Sequence, residues 1–146
     1  MTRAARSARD RGSVSVEMVV LGPVLLFFVL AVMFAGRYAL AQQSVQAAAA
    51  EAARSASIAR SAGEASGSAT GAASASLANQ DLRCATQSVS VDTSAFAQPP
   101  GTPGLVMATV SCQVDMSDLA FPGMPGNRTL EATMSSPIDT YRSRQG

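Results

Sequence analysis

Histidine is absent from this 146-residue chain, and so are tryptophan and lysine. Without histidine there is no Ser-His-Asp triad, no Cys-His pair and no His-ligated metal centre. No glycine-rich phosphate loop is present. Asp115 and Asp118 are close in sequence but read as part of a solvated loop, and no other acids are spaced for general acid-base work. The chain therefore points away from an enzyme, with no metal, no other cofactor and no small-molecule substrate expected. Aromatic residues are also few, two tyrosines and five phenylalanines. Much of the apolar fraction is alanine, and much of the larger apolar surface falls in one N-terminal run. The part after Arg37 has little from which to build a deep core. A soluble portion so thin needs partners or a covalent staple.

Charge is missing from the whole stretch Met18 to Gly36. That stretch is long enough to cross a bilayer core, which takes about 20 residues. Net charge is close to zero, but it is unevenly placed. Within the leader Arg3, Arg6, Arg9 and Arg11 face only Asp10, and acids slightly outnumber arginines after the run. The positive-inside rule then puts the N-terminus in the cytoplasm and the bulk of the chain outside. The expected location is the cytoplasmic membrane, as a single-pass protein. The basic leader is short and has no interleaved aromatics, so nucleic acid is not the expected partner.

Only two cysteines are present, Cys84 and Cys112, and both fall on the predicted outer side. In an oxidising compartment such a pair reads as a disulfide. The loop it closes would contribute roughly 3 kcal/mol on the chain-entropy model.

Five segments follow in order. Residues 1–12 are a basic cytoplasmic leader. Residues 13–36 are a transmembrane helix, in which Gly22-Pro23 marks a kink because proline removes an amide donor and frees the carbonyl of Val19. Residues 37–62 continue as an alanine-rich helical stalk, with Glu51 and Arg54 able to pair across one turn. Residues 63–83 are rich in Gly, Ala and Ser and read as a tether or a second helix over Ala72–Leu82. Residues 84–146 form a small antiparallel β domain. Within it Val106, Ala108, Val110, Cys112, Val114 and Met116 alternate with polar residues, as do Leu130, Ala132 and Met134, and more weakly Val89 and Val91. Pro/Gly-rich loops separate these runs. The expected fold is α+β, a long N-terminal helix followed by a three-stranded sheet whose apolar face packs on the stalk.

The sharpest motif is Gly12-Ser13 followed by Glu17. A small residue before the scissile bond suits a protease. A carboxylate at the membrane edge is costly unless paired. The amine freed at Ser13 of a neighbouring subunit would supply the partner and set register. The bland alternative is a helix-end acid favoured by the helix dipole, with Gly12 incidental. Ala39-Leu40-Ala41 is a rival site for an ordinary signal peptidase, which would release a soluble, adhesin-like domain after Ala41. An uncleaved single-pass envelope protein is a third possibility. Asn127-Arg128-Thr129 fits a glycan acceptor pattern but reads better as a turn entering a strand.

Gly12-Ser13-Val14-Ser15-Val16-Glu17, the Gly-Pro in the apolar run, Arg37-Tyr38 and the segment Gln46 to Arg54 together resemble the TadE-like family. These are minor pseudopilins of the tight-adherence (Flp) pilus system. The resemblance covers about the first sixty residues. It implies cleavage by a prepilin peptidase, other pilin or pseudopilin subunits and assembly machinery as partners, and a structural role in building a pilus. Major pilins of this system place tyrosine after the glutamate, whereas Met18 stands here, and their outer part is far shorter.

Overall fold

The computed structural model describes residues 6–99, 101–115 and 126–139, with side chains described from Met18 onward. Two helices precede three strands: α1 over Arg6–Ser57, α2 over Ala62–Asn79, β1 over Cys84–Asp92, β2 over Leu105–Asp115 and β3 over Asn127–Pro137. The fold class is α+β. The chain divides into two compact units, Met1–Tyr38 and Ala39–Gly146.

In the first unit α1 is apolar all round from Met18 to Gly36. Met18, Leu25, Phe28 and Met33 are 71%, 63%, 64% and 55% exposed. A helix with no polar face and no protein cover requires another apolar environment. It is long and apolar enough to cross a membrane. Pro23 lies inside it and does not end it. The helix begins at Arg6, so Gly12 lies within it, where the sequence reading began the helix at Ser13.

The second unit takes in the rest of α1, α2 and the sheet. The strands run in the order β1-β2-β3 and both pairs are antiparallel. Val110 lies between Val89 and Ala132, and Cys112 between Gln87 and Leu130. Val106, Ala108, Val110, Cys112 and Val114 are all buried, so the period-two pattern of β2 marks its inner face. β3 adds Leu130 and Ala132. A short 3-10 turn, Ser94–Ala97, buries Ala95 and Phe96. One irregularity, between Cys84 and Thr86, breaks the β1 register.

Helical cover comes from alanine. On α1, Val45, Ala48, Ala49, Ala52, Ala53 and Ala56 are buried, and on α2 Ala65, Ala69, Ala73 and Leu77. Among the described residues, side-chain bonds link these layers, Gln87 Nε2 donating to Ser74 Oγ at 3.1 Å and three others. Gln42 Nε2 donates to the Glu131 carbonyl at 3.4 Å, Ser136 Oγ to Ser57 Oγ at 3.1 Å, and Ser68 Oγ to the Ser55 carbonyl at 3.4 Å.

The helices divide earlier than the sequence reading had it. The stalk ends at Ser57 rather than Ala62, and α2 occupies Ala62–Asn79 rather than Ala72–Leu82. The cause is local. Ser61 caps α2 by accepting from the Glu64 N–H at 3.3 Å, while Glu64 Oε2 accepts from the Arg60 N–H at 2.9 Å. Ser-x-x-Glu is a helix-start signature, and it outranks the uniform alanine propensity on both sides of it. At the far end the Leu82 N–H reaches back to Leu77 O at 3.1 Å, and Asp81 takes a positive φ of 53°. A left-handed residue there stops the helix, and Asp tolerates that region better than most.

Candidate processing and assembly segment

The residues that carry the pilin-like motif all lie on one helix. Gly12, Ser13 and Glu17 fall in the first part of α1. Their side chains lie outside the described residues. Five helical positions separate Gly12 from Glu17, about 7.5 Å along the axis. A peptidase cutting after Gly12 would act on a bond that is helical here. Glycine costs about 1 kcal/mol in a helix interior, so this turn is the easiest of its neighbours to open.

Beyond Glu17 come the exposed apolar stretch and then Gly22-Pro23. Neither glycine in this stretch is crowded: a methyl at Gly22 or Gly36 would meet nothing within 4 Å. The border between the two units falls after Tyr38. Ala39-Leu40-Ala41, the rival cleavage site, lies mid-helix at the start of the second unit. Ala41 is buried there and Leu40 is 64% exposed.

Cys84 and Cys112 are joined, with their Cα atoms 5.3 Å apart and 28 positions apart in sequence. Cys112 is fully buried in the middle of β2, and Cys84 opens β1 directly after α2. The bond therefore ties the chain leaving α2 to the centre of the sheet.

Sequence reasoning passed over three polar features. One is the Ser61–Glu64 cap, signalled by its spacing. Another is Gln42, which reaches β3 from α1; nothing in one dimension points to that pairing. The last is Asp92, whose Oδ1 accepts the Ser94 N–H at 2.9 Å. That backbone bond, with a further one from the Ser94 side chain, holds its carboxyl below the ordinary value of 3.8. Asp-Thr-Ser after a strand is a recognisable Asx-turn signal. Asn127 stands exposed as the first residue of β3, as the turn-into-strand reading had it. Met116, Asp118 and the 122–125 part of the Pro/Gly loop lie outside the described residues.

No curated protein and no solved structure matches the chain. A family model does: residues 12–54, which start at the proposed cleavage glycine and end three residues before α1 does, match the model for TadE-like protein, so the likeness rests on that segment of the chain.

Proposed function

We propose that the protein is a membrane-anchored, pseudopilin-like subunit with a structural role in assembling a tight-adherence pilus. The observation that carries this reading is coincidence. The TadE-like match over residues 12–54 spans Gly12, Ser13, Glu17 and the whole exposed apolar stretch of α1. Each has a part in one mechanism. A prepilin peptidase cuts between Gly12 and Ser13 and leaves the apolar helix in the mature chain. Glu17, at the membrane edge, pairs with the freed amine of Ser13 on a neighbouring subunit. A carboxylate there is stabilised by a partner it lacks before assembly. The second unit, closed by its disulfide, stands outside the cytoplasmic membrane. The arginine-rich leader supports an N-in orientation.

Mapping the mature N-terminus tests the reading. Ser13 is the expected first residue. Gln42 would assign the chain to signal peptidase and release a soluble domain. An intact leader would make it an uncleaved envelope protein.

A further inference from the structure

Little holds α2 to the rest of its unit. Its buried stripe is Ala65, Ala69, Ala73 and Leu77, one large side chain among four. Gly63, Gly67 and Gly71 lie on the exposed side, and a methyl at any of them would meet nothing within 4 Å. Packing therefore does not call for glycine there, yet each glycine weakens the helix relative to alanine. Ser66, Thr70 and Ser74 each donate back four residues, to the carbonyls of Ala62, Ser66 and Thr70. Such back-bonding weakens a helix slightly further. Among the described residues two side-chain bonds tie α2 to other elements, Ser68 Oγ to Ser55 O at 3.4 Å and Gln87 Nε2 to Ser74 Oγ at 3.1 Å.

The sheet is built differently. β2 is paired along both edges, and the disulfide at Cys84 sits just past the end of α2. We propose that α2 is a detachable strap. It opens as one unit, hinged at residues 58–61 and 80–83, while the sheet stays closed. The Cys84–Cys112 bond stops the opening from spreading into β1. Opening uncovers α1 around Ser55 without unpairing a strand. Elements with few buried apolar contacts are where local opening concentrates.

Hydrogen exchange on the full-length oxidised chain in detergent micelles tests this. Amides of Ala65 to Asn79 should exchange well ahead of those in β2 and β3. Gly67→Ala combined with Gly71→Ala should slow α2 exchange on the order of 30-fold and leave β2 unchanged. Exchange of α2 and β2 at one common rate would overturn the strap. So would a double variant that fails to slow α2, or β1 amides exchanging in step with α2 while the disulfide is intact.

Discussion

A methyl group at Gly104 would lie 2.9 Å from Ala95 Cβ, closer than carbon atoms approach. Ala95 is buried in the turn between β1 and β2 and has no flexible side chain to swing aside. Gly104→Ala should therefore cost about 1–3 kcal/mol, read as a lower midpoint in chemical denaturation. Adding Ala95→Gly to the same chain should restore part of the loss, because the two positions share one contact. Asp92 acts through pH. Its carboxyl is lowered in the folded state by the Ser94 N–H, so the stability it contributes is present above 3.8 and is lost as pH falls through the lowered value. Asp92→Asn should make stability less steep with pH in that acid window, and parent and variant should differ least once both are below it. At Gly12 and Glu17 the expected effects separate. Gly12→Leu should block processing and leave membrane insertion intact. Glu17→Ala should mainly damage assembly, since the partner amine appears only after the cut. Normal pilus assembly with Glu17→Ala and normal processing would reduce Glu17 to a helix-end acid.

Elements in this chain are decided by a few polar residues set in a uniform background. Alanine runs from Arg37 to Asn79, joined by glycine only from Gly63 onward, and its propensity alone would carry the first helix past Ser57. Ser61 and Glu64 divide the stretch in two. The same economy marks the sheet, whose buried side chains are mostly valine and alanine. So small a core leaves the disulfide a large share of the closure. Cys84→Ser with Cys112→Ser should lower stability by roughly 3 kcal/mol, measured by urea denaturation of full-length chain in micelles. The loss should be greatest at β1, which the bond ties to β2. Leu130→Ala, which removes the largest fully buried side chain among the described residues, should cost about 2–5 kcal/mol by the same measurement.

At the scale of the whole molecule the two units answer to different solvents. The first exposes its apolar side chains, and the second buries small ones under a hydroxyl-rich surface. Thr109 and Thr133 face each other across β2 and β3 with their hydroxyls 2.8 Å apart, on the side of the sheet away from the helices. A reporter fused after Gly146 that works only outside the cytoplasm should be active, because the leader ahead of the apolar helix carries four arginines against one acid, Asp10. Activity of a cytoplasm-only reporter at the same point would reverse the orientation.

The sequence alone determined what depends on local period and composition. The uncharged run from Met18 to Gly36 demanded an apolar surrounding whatever the fold. Alternation in Val106 to Val114 defined a strand with one buried face, because side chains alternate across a pleat. Gly12, Ser13 and Glu17 were legible as a motif in one dimension, and the family match falls on the same stretch. The second helix was only half legible, since glycine and serine disfavour helix locally and the alanine stripe of α2 has value only once α1 and the sheet lie beside it. Tertiary structure alone decided that Gln42 meets the β3 carbonyl of Glu131 and that Ser57 meets Ser136, contacts spanning 89 and 79 positions. No local propensity encodes such pairs. They exist because the strand order β1-β2-β3 and the paired alanine faces bring distant backbone within hydrogen-bond reach.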